Sequence, residues 1–503
     1  MESATLTRPS TGPAWLAPLI AVPAAAWARL CLLAGTLVAA VGFLVFPTYP
    51  IYDSYYYLLW GRELTHLQAL SFHVYRAPTE HPLAIAFGAL LSLVGEHADR
   101  LLIAATIVSF LALAAGIYRL SRLAFAPLVG AVAVILLGTR LSLSFLAIRG
   151  YIDIPYLAVI AWAAALEAER PRRGTPVFWL LLAAELMRPE SWLLGGLYFL
   201  WCARGASSRT QLAGWAAMVA AGPVIWTSID AAVTGDPLFS LHSTSGLAAS
   251  FGRNKGISAV PGAMWQYLDR LDHLPVLLGA IAGLVLALLL VPRHAWMPLV
   301  LAVSGLGTFV VIGAAGLSLV DRYVLVPSLM AIVFCAFALS GWTMLVPGSA
   351  MRRLWAAGAA ALTAFGVITS ANSLSIATIR TELGFRGDYH SALVAILREP
   401  RVRAGLACGP LSVPNHKLVP EARWLLGRGP DGVIARSDAR TQAAKGHLAL
   451  SERLRHGVAL YPTGLAVQRQ ALVDQTDNPL DQVPLPGYVR VATTQYYGAY
   501  ARC

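Results

Sequence analysis

Residues 30–63 read LCLLAGTLVAAVGFLVFPTYPIYDSYYYLLWGRE. The first part, 30–52, holds no Asp, Glu, Lys or Arg and exceeds the ~20 residues that cross a hydrocarbon core. At Asp53 the chain changes character: a carboxylate is followed by Tyr55 to Tyr57, Trp60 and the charged pair Arg62-Glu63. An uncharged run that gives way to aromatic and charged residues reads as a transmembrane helix leaving the bilayer through its interface. Uncharged runs recur at 101–118, 210–229, 274–292, 295–320, 323–351 and 354–379. Only 13% of the 503 residues are charged, against roughly a quarter in soluble domains. The expected fold class is therefore an all-α polytopic membrane protein.

The formal charge of +12 does not point to nucleic acid, because the excess Arg sits in short clusters beside apolar runs, with no Lys-rich tract and no binding motif. The run after Arg29 is too long for a signal-peptide core and lacks a clear cleavage site, so it reads as a retained first helix. Cys31, Cys202 and Cys335 fall in or beside apolar segments, where packing accounts for them, and none of the five cysteines has metal-type spacing. Three Lys among 38 basic residues hint at a GC-rich bacterial genome, hence at the bacterial cytoplasmic membrane.

Basic connections mark the cytoplasmic side. They are Arg119/Arg122, Arg170 with Arg172 and Arg173, Arg204/Arg209, Arg293/His294 and Arg352/Arg353. Threading the apolar runs through them predicts a cytoplasmic N-terminal tail (1–27) and a transmembrane body (28–373) with external loops 48–97, 148–153 and 234–273. A third helix is expected over 124–147. The run 81–95 is too short to span and predicts an interfacial or re-entrant helix. The block 175–202 is interrupted by Glu185 and by Arg188-Pro189-Glu190, which predicts two half-helices meeting at that turn, since Pro189 disfavours helix at Arg188. About eleven membrane helices result, counting the half-helices, and the odd count puts the C-terminus outside.

Residues 374–503 carry 26 of the 64 charged residues. That density, with short alternating or apolar runs at 405–407, 433–436, 457–461 and 488–493, predicts a small extracytoplasmic α/β domain. Outside the cell Cys408 and Cys503 are the pair available for a disulfide, although spacing alone does not show that they approach.

Several polar residues are placed to do chemistry. Asp53 sits at the external interface, suited to a base reaching a lipid-linked substrate; a helix cap inside an aromatic belt accounts for the same residues. Asp153, in Arg149-Gly-Tyr-Ile-Asp-Ile-Pro155, places a second carboxylate at similar depth, or caps a helix with Pro155 in its first turn. Arg188 and Glu190 are ionisable groups within an apolar block, where Arg188 either holds a phosphate bidentately or pairs with Glu190 or Glu185. Arg322, in Asp321-Arg322-Tyr323, offers another cation near the same surface, or snorkels to headgroups. His81 and His242 are donors or merely interfacial.

In this order the residues resemble the GT-C superfamily of polytopic glycosyltransferases that use polyprenyl-phosphate sugars. That superfamily includes protein O-mannosyltransferases, aminoarabinose lipid A transferases and mycobacterial arabinosyl- and mannosyltransferases. The resemblance covers about 30–330. Its parts are Asp53 with Tyr55 to Tyr57 and Arg62-Glu63, then Glu80-His81-Pro82-Leu83, Asp153, Arg188-Pro189-Glu190, and Arg322-Tyr323 to Pro327. The chain departs from the family at His81-Pro82, where two prolines are frequent, and at Arg188-Pro189, where Lys-Gly is. The resemblance implies an inverting transfer with Asp53 and Asp153 as catalytic carboxylates, and Arg188 first, Arg322 second and Arg149 on the donor phosphate. Tyr56, Arg62, Glu80, His81, Glu190 and His242 then line the substrate site. It implies as partners a polyprenyl-phosphate-linked sugar, the bilayer, and a glycan, glycolipid or protein acceptor. Asp153 orients the acceptor or helps to hold a divalent cation. Two other readings use the same charges: a lipid or sugar transporter or flippase, for which no inverted repeat is visible, and a non-catalytic envelope assembly subunit.

Overall fold

The computed structural model describes residues 24–250, 252–373, 376–473 and 484–503. The tail expected over 1–27 lies, up to residue 23, outside the described residues. Residues 46–503 form one compact unit; the helix Ala24–Val45 belongs to another. That helix is 22 residues long and takes in the run 30–52 only as far as Val45.

The protein is a multi-pass membrane protein. Among the described residues five helices are long and apolar enough to span: Gly95–Ala124, Arg209–Thr234, Ile257–Leu290, Pro292–Ala314 and Asp321–Met344. The expected count of about eleven included shorter elements, because this body is built partly from broken and short helices. The third expected helix is one of these. It is not continuous over 124–147 but splits into Pro127–Gly138 and Leu141–Ile148, bent by 67°. Arg140 explains the break. Its guanidinium is buried, donates to the Leu271 carbonyl at 2.6 Å and lies 3.4 Å from Asp272. A charge at that depth needs a partner. The helix carrying Asp272 kinks at the next residue, His273, whose φ is 58°.

The half-helices fall where Pro189 predicts, as Thr175–Met187 and Ser191–Ala203, with Arg188 extended between them. The short run after His81 forms Pro82–Ser92, 11 residues or roughly 16 Å, too short to cross. The loop expected over 48–97 also contains Tyr52–Thr65. The loop expected over 234–273 is largely helical, with Phe239–Ser250 and the start of Val260–Leu290. Leu325–Ser340 is apolar on all sides and almost wholly buried at the centre of the body. Gly61 and Gly88 bring Tyr52–Thr65 and Pro82–Ser92 together so closely that a Cβ on either would meet the other's backbone.

Beyond Ile376–Arg398 lies a five-stranded sheet with strands β1 (Leu411–Val413), β2 (Val433–Ala435), β3 (Gly457–Pro462), β4 (Val489–Thr493) and β5 (Tyr497–Arg502), in the order β2-β1-β3-β5-β4. The β1 pairings are parallel and those of β5 antiparallel. The run 405–407 is not a strand; it ends the helix Pro400–Gly405. A disulfide joins Cys408 to Cys503 with Cα atoms 5.4 Å apart, tying the approach to β1 to the end of β5. The domain's helix Val419–Leu426 packs on Tyr52–Thr65. There Glu63 accepts from Arg423 at 2.7 Å, and Arg62 donates to the carbonyls of Trp424 and Arg423 at 3.1 and 3.3 Å.

Candidate functional site

Asp53 lies in the first turn of Tyr52–Thr65, where the helix N-terminus favours negative charge. The start of this helix is clipped to the loop before Asp153. The Ile51 N–H donates to the Arg149 carbonyl at 2.9 Å, and Ser54 Oγ donates to the Gly150 carbonyl at 2.8 Å. Gly150 turns that loop with φ of 78°, a conformation that favours glycine. Asp153 then opens Asp153–Glu169.

Arg322 stands between the two carboxylates. Its Nη1 is 3.6 Å from Asp53 Oδ2 and 3.5 Å from Asp153 Oδ2, and the guanidinium lies 5.6 Å from the Tyr151 ring centre. Arg188 reaches the other side of Asp153, pairing with Asp153 Oδ1 and Glu190 Oε1. It sits between the rings of Tyr156 and Tyr323, at 5.5 and 5.4 Å. The result is an alternating chain of charge: Asp53, Arg322, Asp153, Arg188, Glu190. Asp153 is fully buried, while Arg322 is about a third exposed (34%). Asp53 Oδ1 is buried, and the Tyr52 hydroxyl interacts with the same carboxylate.

Among the described residues no three His, Cys, Asp or Glu side chains group as metal ligands. A guanidinium fills the position between Asp53 and Asp153, so the two do not fit a shared divalent ion.

No family model and no curated protein matches the sequence. Solved structures do match. ArnT from Cupriavidus metallidurans in the apo state aligns at a TM-score of 0.52 and 16% identity, over 95% of this chain and 98% of that one. The same protein bound to undecaprenyl phosphate aligns at 0.51 and 14% identity, with the same coverage. The Archaeoglobus fulgidus oligosaccharyltransferase, tethered to an acceptor peptide containing the NVT sequon, aligns at 0.50 and 12% identity over 89% of this chain and 70% of that one. The chain has the GT-C fold. This likeness extends over the C-terminal domain as well as the membrane body.

Within the GT-C body the other predicted residues fall in different places. His81 precedes Pro82–Ser92, with its ring 5.7 Å from that of Tyr57 and 5.6 Å from that of Trp226. It also bonds to the Met187 backbone, next to Arg188. Burial and then the nearby Arg188 and Arg322 push it down to about 3, so its imidazole is neutral at ordinary pH. Tyr56 is 1% exposed and packs on Trp60 at 5.1 Å; its buried hydroxyl has no hydrogen-bond partner. Glu80 turns inward to Ser240 at 2.9 Å. Arg149 contributes its carbonyl to the Asp53 helix and lays its guanidinium 5.5 Å from the Phe145 ring centre. Arg62 is engaged with the C-terminal domain, and His242 pairs with Asp236 at 2.6 Å on the surface.

Sequence reading gave no site role to Tyr151, Tyr156 and Tyr323, the rings flanking the two arginines. Proximity to Asp153 and Arg322 in the chain was the signal available. It also missed Asp230, the one charge in the 210–234 apolar block, which the rule for intramembrane ionisable groups would have flagged.

Proposed function

We propose that this protein is an inverting glycosyltransferase of the bacterial cytoplasmic membrane. It moves a monosaccharide from a polyprenyl-phosphate donor to the hydroxyl of an extracytoplasmic glycan, glycolipid or protein. The observation that carries the reading is the meeting of Asp53 and Asp153 on one half-open arginine, in a fold that has one solved example bound to undecaprenyl phosphate.

The acceptor oxygen attacks the anomeric carbon from the face opposite the phosphate, and the bond from that carbon to the phosphate oxygen breaks with its electron pair. Polyprenyl phosphate leaves and the sugar inverts. The Asp53 carboxylate accepts the hydroxyl proton as the transition state acidifies it and returns it to water afterwards. Asp53 is a weak base for a ground-state alcohol, so its work is largely positional. Phosphate is already a good leaving group and needs its growing charge met. Arg322, the more exposed of the two arginines, is the first candidate for that contact, ahead of Arg188, which the sequence put first. Arg188 lies between Asp153 and Glu190, where it fixes Asp153 and reaches phosphate only by exchanging a carboxylate partner. The domain at 374–503, docked on the helix that carries Asp53, serves to position the acceptor.

Purified protein in lipid nanodiscs, incubated with a panel of polyprenyl-phosphate sugars and followed by mass spectrometry, tests this reading. Release of polyprenyl phosphate from one donor with inversion at the sugar is the expected result. Intact donors throughout the panel would remove the proposal.

A further inference from the structure

Ser240 offers one hydroxyl hydrogen to two carboxyl groups. Its Oγ lies 2.9 Å from Glu80 Oε2 and 2.9 Å from Asp230 Oδ1. It also accepts the Trp226 Nε1–H at 2.9 Å. The Ser240 backbone N–H donates to Asp230 Oδ2, again at 2.9 Å. All four residues are buried, Glu80 at 1% and Asp230 at 2% exposure.

The count of hydrogens decides the protonation. A hydroxyl donates once and has two lone pairs. Its hydrogen satisfies one carboxylate, and the second carboxyl oxygen makes a bond only by carrying a proton and donating into the lone pair that Trp226 leaves. Without that proton two acceptor oxygens face each other in a buried site, which is costly. Asp230 accepts the Ser240 backbone N–H, whereas the Glu80 carboxyl has only its own residue's N–H besides Ser240 and leaves Oε1 without a partner, which favours Asp230 as the ionised partner.

We infer that Glu80 and Asp230 hold one proton between them through Ser240, with Glu80 the neutral acid, and that this bond positions His81 beside Arg188. Glu80 directly precedes His81, and Trp226 both donates to Ser240 and packs on the His81 ring. Helices Arg209–Thr234 and Phe239–Ser250 thereby grip the turn that leads into the site. Glu80 and Ser240 act here as positioning residues. Burial pushes Glu80 up to about 8, with Asp230 adding to it and the Glu80 backbone N–H and Ser240 opposing.

The other groups facing the trio are few. Asp236 bears on Asp230 and is itself paired with His242. His81 is neutral, with Arg188 and Arg322 beyond it. His73 packs on Phe239 at 4.8 Å, and Thr79 and Thr244 meet at 3.1 Å. An acid raised above its ordinary 4.5 binds a proton in the folded state that the unfolded chain has lost. Stability therefore falls as pH rises from about 4.5 to about 8, and above that the link is broken.

Full-length protein in nanodiscs tests this by its thermal unfolding midpoint from pH 6 to 10, together with the infrared carbonyl band of a protonated carboxylic acid. The wild-type midpoint should fall up to about pH 8 and then level off, while the band disappears as pH passes about 8. Glu80→Gln, whose amide N–H replaces the acid proton, should lose part of that band and show a shallower fall in midpoint; Glu80→Ala should be destabilised at every pH. A Glu80→Gln profile that falls like the wild type, or a band at pH 7 unchanged by Glu80→Gln, would overturn the inference. The positioning of His81 rests on the proposed donor site and has its own readout: undecaprenyl phosphate affinity should drop at least threefold from pH 7 to 9 in the wild type and stay level in Glu80→Gln. Equal drops in both would overturn the positioning claim. Failure of both proteins to bind at any pH would overturn it together with the donor-site reading, while leaving the shared proton supported by the thermal and infrared results.

Discussion

Removing the Arg322 guanidinium should separate donor binding from folding. Arg322 Nη1 sits 3.5 to 3.6 Å from two carboxylate oxygens. At an effective dielectric of 20 each contact is worth at most about 5 kcal/mol in Coulomb energy. The net is smaller, because a third of the Arg322 side chain is exposed to screening solvent. Arg322→Ala should thus fold, with a stability loss of about 1–3 kcal/mol as Asp53 and Asp153 lose their shared counter-ion. The larger effect falls on an anionic lipid. A charge-assisted hydrogen bond contributes about 1.5–3 kcal/mol, so affinity for undecaprenyl phosphate should fall roughly 10- to 150-fold. Arg322→Lys keeps the charge but not the fork and should fall between the two. Native mass spectrometry of nanodisc-held protein, titrated with undecaprenyl phosphate, reads this directly. Affinity in Arg322→Ala within twofold of wild type would refute the assignment of Arg322 to the donor phosphate.

Other substitutions probe the supports of the site. Arg188→Ala leaves Asp153 buried beside half its former charge and should cost about 3–5 kcal/mol in a denaturant titration, as breaking a buried pair does. Donor affinity unchanged in that variant would leave Arg188 as a structural ion pair alone. Replacing Cys408 and Cys503 by Ser opens a link across 95 residues and should destabilise the C-terminal domain by about 2–5 kcal/mol, seen as faster proteolysis within 376–503. His416, which burial and then Arg76 and Lys417 push down to about 3, gives acid sensitivity. A histidine depressed below its ordinary 6.5 stabilises the fold above that value and loses the contribution as pH falls toward 3. Its share at pH 4 is on the order of 3 kcal/mol, and His416→Gln should flatten the thermal midpoint between pH 7 and 4.

What was legible in the sequence was local. Pro189 ended one half-helix and began the next, and the length of the run after His81 forbade a span. The charge clusters placed Asp53 and Asp153 on one side of the membrane. What was not legible depended on distant partners. Arg140, a charge inside the apolar run, stood in the sequence, but the 67° bend at it depends on its turning to Asp272 on another helix. The pairing of Asp53 and Asp153 through Arg322 is likewise set by packing across three helices. Arg62 entered the site because the family resemblance runs through Arg62-Glu63; its actual contacts, the Arg423 and Trp424 carbonyls, lie some 360 residues on. In the C-terminal domain the apolar pattern marked β2, β3 and β4. Strand β1 is three residues long, too short to show a period.

The most direct test of the account compares wild type and Asp53→Asn in nanodiscs with a polyprenyl-phosphate sugar that the wild type consumes. The substitution keeps the shape of Asp53 and removes its ability to take a proton. It should reduce transfer below detection while donor binding stays within a few fold. Transfer by Asp53→Asn at the wild-type rate would contradict Asp53 as the base and, with it, the proposed mechanism.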